Sequence, residues 1–379
     1  MEGRPVAVGL LALACAVAGC GGETRDFSGC RQLRAATGYS KAVEAARPLV
    51  DRLNSGLRAP GMTLAVAVRG RVVWSLACGY ANRADHRPTS EETRFRIGSV
   101  SKAITAAALM RSSEDGEVDL DAPISRYLPL FPHGREITLR QLAGHLGGIR
   151  HYETPAEVVN TRHFASVRDS LRLFDHDPLV APPGTRFAYS SYGYDLIGGA
   201  LEAGTGETFQ ALVRRAVLGP ASLGQTTFAH APARDASTYY ELTTDGGVRV
   251  APSIDLSDRL PAGGLLSTAA DLARFGSSLL DGTIVTTAAA RTMFTTQRTR
   301  NGTATGYGIG FEVHPSPYGL FVGQTGAVDG GTAALLIHPS TRTVLALATN
   351  LGYATADSPP PPRPGTPDPP RILLPFMRG

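Results

Sequence analysis

The chain has 379 residues, 42% of them hydrophobic and 18% charged, with a formal net charge of +4. That balance gives ample material for a globular core and excludes a polyelectrolyte tail as the main feature. No dense basic run interleaved with aromatics occurs, so nucleic acid is not among the expected partners.

Taken in chain order, the first element is an address. An apolar run from Val6 to Ala18 is too short to span a bilayer comfortably, and it leads into Ala18-Gly19-Cys20-Gly21. Residues 1–19 therefore read as a signal peptide. Small residues before Cys20 resemble a bacterial lipobox, which makes Cys20 the lipidation site; the plainer alternative is secretion with Cys20 incidental. The expected mature protein is exported, anchored to a membrane only through lipid, and faces the periplasm or the cell exterior. Residues 20–41 are expected to be mainly a polar tether, with a helix over Ala42–Leu53. Cys30 and Cys78 could pair in an oxidising compartment or remain free thiols.

Met62–Val68 and Arg71–Ala77, joined at Arg69-Gly70, have the pattern of a β-hairpin. An Ala/Leu-rich helix follows over Val100–Ser113 and stops near Gly116, with Ser99 at its head. Residues 121–254 form a mainly helical insert, in which Thr138 is an N-cap and a second helix covers Ser191–Ala203. A helix over Ala269–Leu280 precedes strands at Phe311–Val313, Gly319–Val322, Ala333–Ile337 and Thr343–Ala348. Residues 359–370 read as a Pro-rich linker and 371–379 as a tail that returns as a short helix. Strands thus come from both ends of a catalytic unit over 42–358, with one lobe from 42–120 and 255–358. The fold class is α+β, an antiparallel sheet flanked by helices.

The chemistry is concentrated at one lysine. Only two of the 37 basic residues are lysine, Lys41 and Lys102, and Lys102 lies three residues after Ser99. Arginine stays protonated, whereas a desolvated lysine can become neutral and accept a proton. On a helix the i, i+3 spacing sets Lys102 beside Ser99, and the helix N-terminus favours negative charge nearby. A second piece is Tyr189, just ahead of the Ser191 helix; a third is Gly323-Gln324-Thr325-Gly326-Ala327, a small-residue strand edge able to offer a backbone N–H. No C-x-x-C or H-E-x-x-H spacing occurs among four Cys and nine His, so no metal and no cofactor is expected.

These three pieces, in this order, resemble the serine β-lactamase/penicillin-binding-protein superfamily, in its class C-like branch. Pro60–Val66, Phe95–Lys102, Val118–Pro123 and Ala262–Leu265 match as well. Ile137–Leu142, His145–Tyr152 and the Tyr189 segment look especially like the mitochondrial serine β-lactamase-like protein and its bacterial relatives. The resemblance implies a β-lactamase/transpeptidase-like fold, Ser99 as nucleophile, Lys102 as its proton partner and Tyr189 sharing proton transfer. It also implies an oxyanion hole from the backbone N–H groups of Ser99 and Ala327, and substrate contacts from Ser191, Gln324, Thr325 and Gly326. Whether Lys102 or Tyr189 is the base stays open, because two such groups titrate as a coupled pair.

Two positions depart from the family pattern. Ser191 stands where Asn is common, and Gln324 where Lys or His commonly helps bind a substrate carboxylate. The expectation is a small-molecule or peptide hydrolase, weak on penicillins and on C-terminal D-Ala-D-Ala peptides and better on esters or internal peptide bonds. The alternative is a binding or scaffolding member of the family, and oligomerisation is compatible with both. A Ser-His-Asp triad built on His145 would leave Lys102 without a role; His145 reads as a helix-end residue, and His151 and Asp329 as loop and turn residues.

Overall fold

A computed structural model describes residues 29–229, 235–243, 246–353 and 369–378. The expected signal peptide, Cys20 and most of the Pro-rich linker lie outside the described residues. Among the described residues, no helix is long and apolar enough to cross a membrane.

The main sheet is built from strands β1 (Cys30–Ala35), β2 (Gly61–Val68), β3 (Arg71–Asn82), β4 (Glu312–Ser316), β5 (Gly319–Val328), β6 (Gly331–His338) and β7 (Thr343–Thr349). Their order across the sheet is β1-β3-β2-β7-β6-β5-β4, every pair antiparallel. The two ends of the chain meet at β2 and β7, where Leu64 faces Leu347 and Val66 faces Leu345.

Period-2 alternation then divides the strands between two cores. From β2, β6 and β7, the side chains of Leu64, Val66, Leu336, Leu345 and Leu347 enter one cluster. The alternate residues Ala65, Ala67, Leu335, Ile337, Val344 and Ala346 enter the other. Both faces are therefore buried, which is why these strands read as near-continuous apolar runs.

Helix α1 (Ser40–Leu57) covers the first face and starts earlier and ends later than its apolar pattern suggested. Beside it lies the C-terminal helix α6 (Pro369–Leu373), followed by a 3₁₀ turn over Leu374–Arg378. Phe376 stacks on Trp74 with ring centroids 5.6 Å apart, so the expected tail is docked into the core. The second face carries α2 (Ser101–Glu114) and α5 (Ala269–Leu280), with the helices α3 (Leu139–Ala143) and α4 (Ser191–Thr205) of the insert beyond them. Thr138 caps α3 as expected, its hydroxyl accepting from Gln141 N–H while the Gln141 side chain accepts from Thr138 N–H.

Two expectations are corrected. The supposed tether contains β1, an edge strand whose polar residues Arg31, Gln32 and Arg34 disguised it, and Cys30 on β1 is bonded to Cys78 on β3 as a disulfide. The insert is also less purely helical than its sequence suggested. Thr227–Phe228 pairs with Leu265–Ser267, and a hairpin of Tyr240–Leu242 with Val248–Val250 joins Leu351–Tyr353 in a small sheet.

Candidate active site

The site forms where the head of α2 meets the open edge of β5. Gly98 opens a 3₁₀ turn over Gly98–Val100 with φ of 49°, a conformation that favours glycine. A Cβ there would lie 2.8 Å from the backbone nitrogen of Ala327, and one on Gly326 would run into the carbonyl oxygen of Ile97. These two glycines let the backbones at 98–99 and 326–327 lie side by side. Ser99 and Ala327 thereby sit next to each other, Ser99 partly exposed and Ala327 exposed.

Lys102 is completely buried, 0% exposed. Its Nζ lies 3.0 Å from Ser99 Oγ, 2.9 Å from Ser191 Oγ and 2.9 Å from the carbonyl oxygen of Ala262. Desolvation pushes its pKa down to about 7, against a smaller upward pull from Asp195. A neutral amine has two hydrogens and one lone pair. It can donate to Ala262 O and Ser191 Oγ and accept the Ser99 proton, which uses every position once.

Tyr189 completes the triangle, its hydroxyl donating to Ser99 Oγ at 2.8 Å. Burial raises its pKa above the ordinary phenol value, so it remains a donor at neutral pH. The chain ahead of α4 holds it in place. Ser190 is the N-cap, accepting from Gly193 N–H at 2.9 Å and donating to the carbonyl of Arg150 at 2.6 Å.

His145 and His151 serve the same segment, a role their sequence context did not disclose. His145 Nδ1 accepts from Ser190 N–H at 3.1 Å and His151 Nδ1 from Ser191 N–H at 3.2 Å. The His145 ring packs 4.4 Å from that of Tyr189 and 4.6 Å from that of Tyr307. Desolvation first, and the Lys102 charge second, hold His145 well below its ordinary value and His151 at about 4, so both are neutral acceptors. The backbone of His145, at φ 57° just past α3, does take the helix-end position expected of it. Asp329 sits in the β5–β6 turn as expected, and its carbonyl accepts from Arg96 Nη1 at 2.7 Å.

The structure thus brings Ser99, Lys102, Tyr189 and Ser191 into one network, with Thr325, Gly326 and Ala327 along its rim. Two of the expected substrate contacts also have partners within the protein. Ser191 is buried, and its hydroxyl accepts from Lys102 Nζ at 2.9 Å. Gln324 is buried as well, its Oε1 accepting from Tyr307 OH at 2.7 Å and its Nε2 donating to Thr325 O at 3.0 Å. Both ends of that amide are occupied within the protein.

A further group escaped notice in the sequence. Asp195, one turn along α4 from Ser191, is 0% exposed, and burial together with the nearby Asp258 carboxylate raises its pKa well above the usual range. Lys102 and Arg259 pull it the other way. Arg259 itself is paired with Asp258 at 2.8 Å beneath the site. The i, i+4 relation to Ser191 was the available signal, but an Asp in the middle of a helix reads as an outward-facing residue.

Known proteins share this arrangement of the chain. A family model described as Beta-lactamase matches residues 46–363. The mitochondrial serine beta-lactamase-like protein of Mus musculus is 28% identical over 324 residues, covering 65% of this chain and 59% of that protein. Penicillin-binding protein 4 of Amycolatopsis lactamdurans is 31% identical over 328 residues, covering 81% and 84%. Among solved structures, the D-amino acid amidase of Ochrobactrum anthropi SV3 in complex with D-phenylalanine superposes with a TM-score of 0.77 at 24% identity, covering 89% of this chain and 99% of that one. The chain spans less than two thirds of the length of the mitochondrial relatives it matches.

Proposed function

The chain belongs to the beta-lactamase family, and on that premise we propose that it is a serine hydrolase working through an acyl-enzyme on Ser99. The observation that carries this reading is the position of Ser99 Oγ, at once 3.0 Å from the buried Lys102 amine and 2.8 Å from the Tyr189 hydroxyl.

The chemistry follows from the two opposed pKa shifts. Neutral Lys102 takes the Ser99 proton as the Oγ–carbon bond forms, and the Ser99 and Ala327 amides face the developing oxyanion. Tyr189, held protonated, gives its proton to the leaving group. The Lys102 ammonium restores that proton through the Ser191 hydroxyl, which lies 2.9 Å from its Nζ. Water then attacks the acyl carbon, giving up its proton to the same network, and Ser99 is released. In this reading Lys102 is the base and Tyr189 the acid, and a hydroxyl at position 191 is a relay.

The preferred bond belongs to an ester or amide lacking a carboxylate beside it, since Gln324 is neutral and internally bonded. Penicillins are poor substrates on this account. We also propose export and lipid anchoring at Cys20; the Cys30–Cys78 bridge supports an oxidising compartment.

Labelling with a fluorophosphonate tests the hydrolase reading. A stoichiometric adduct in the wild type, absent in Ser99→Ala, is expected. No Ser99-dependent adduct with any acylating probe would instead favour a scaffold. Penicillin turnover with kcat/KM above ~10⁵ M⁻¹s⁻¹, inside the ordinary enzyme range, would contradict the proposed preference.

A further inference from the structure

Beside the substrate-facing edge of β5 lies a charge opposite to the one its family pattern leads one to expect. Strand β4 begins at Glu312, opposite Gly323, so among the described residues Gln324 to Ala327 have no strand partner on that side. On the other side β5 stays paired with β6 as far as Val328. An extended substrate can lie along this open edge, with its reacting carbonyl at Ala327. Thr325 is two residues back along the strand, about 7 Å away at the usual rise.

At that point the group waiting is a carboxylate. Thr325 Oγ1 donates to Glu312 Oε1 at 3.4 Å, and Glu312 Oε2 lies 3.0 Å from His314 Nε2. The Glu312 side chain is 14% exposed, and a carboxylate offers about four acceptor sites, so capacity remains for a further donor. Its charge also reaches into the catalytic network, where it pushes the phenols of Tyr189 and Tyr307 further up.

A C-terminal carboxylate of a peptide lies on the leaving-group side of the scissile bond. The same subsite here presents Glu312 beside Thr325 and a neutral, internally bonded Gln324. We propose that Glu312 is a specificity-determining residue that selects substrates whose leaving group carries a positive charge, such as an ammonium two or three bonds from the scissile heteroatom. This rests on the serine-hydrolase reading above and narrows its substrate class.

Three thioacetates of similar size test it through release of free thiol: cationic acetylthiocholine, the neutral isostere S-(3,3-dimethylbutyl) thioacetate, and anionic S-acetyl-3-mercaptopropionate. One charge-assisted contact predicts kcat/KM about tenfold higher for the cation than for the neutral ester, with the anion slowest. In Glu312→Gln the cation-to-neutral ratio falls to about one. Wild-type ratios alone decide the matter if that variant does not fold. A wild-type ratio near one, an anion preferred to the cation, or an unchanged ratio in a folded Glu312→Gln overturns the proposal while leaving the hydrolase reading intact. Absence of Ser99-dependent thiol release from all three overturns the hydrolase reading and this proposal with it.

Discussion

Acylation of Ser99 should track the titration of Lys102. Burial holds the lysine near pH 7, whereas His151 titrates at about 4, His145 well below its ordinary value and Tyr189 above its own. His145, His151 and Tyr189 are all shifted away from neutrality, while burial raises Asp195 beside Lys102. The sign follows directly. The proton-accepting form is the neutral amine, so the rate rises as pH passes upward through about 7. Two units below that midpoint about 1% of the amine is neutral, and two units above it nearly all is. The acylation rate should therefore climb about 100-fold from pH 5 to pH 9, with no descending limb while Tyr189 stays protonated. The assay is the rate of fluorophosphonate labelling, with the Ser99→Ala background subtracted at each pH. Lys102→Arg should lose the rise altogether, because a guanidinium does not deprotonate in this range. A flat wild-type profile, or the same rise in Lys102→Arg, would refute the assignment of Lys102 as base.

Further outcomes follow from neighbouring contacts. Asp195→Asn removes a negative charge that favours the ammonium, so the midpoint of the same profile should move to lower pH; movement upward would contradict the assignment. Gly326→Ala drives a methyl into Ile97 O and presses on the Ser99 amide, and labelling should fall by 10²-fold or more, as for the loss of an oxyanion donor. Cys30→Ser opens a link spanning 48 residues, which chain entropy values at about 4 kcal/mol, measurable as a lower urea midpoint. Because β1 lies at the far end of the sheet from β5, Ser99 labelling should be retained in that variant. Phe376→Ala empties the place stacked on Trp74 and should cost about 3–5 kcal/mol in the same unfolding assay.

Much of this was legible in the sequence wherever local rules act. The β2–β3 hairpin, the Thr138 cap and the Ser99–Lys102 spacing are set by neighbours in the chain, and the structure shows each. Tyr189 stood out among twelve tyrosines by its place just before the Ser191 helix and by the family resemblance. What was missed depends on partners distant in sequence. β1 looks polar because one edge strand needs little apolar surface, and only its pairing with β3 and the Cys78 bond define it. The internal partners of Ser191 and Gln324, Lys102 and Tyr307, likewise lie far from them in sequence. His145, His151 and Asp195 act through burial beside Lys102, and burial of a polar side chain is the property a single sequence discloses least.

The lysine scarcity that singled out Lys102 now has a structural counterpart, an amine without solvent that touches the nucleophile. The most direct test of the central claim is intact-mass spectrometry, with peptide mapping, of the protein quenched in acid during turnover of a chromogenic p-nitrophenyl ester. The account predicts a covalent acyl adduct on the Ser99 peptide, formed with a burst of p-nitrophenol stoichiometric with enzyme and absent in Ser99→Ala. Ester hydrolysis that persists in Ser99→Ala, or an adduct on any other residue, would contradict it.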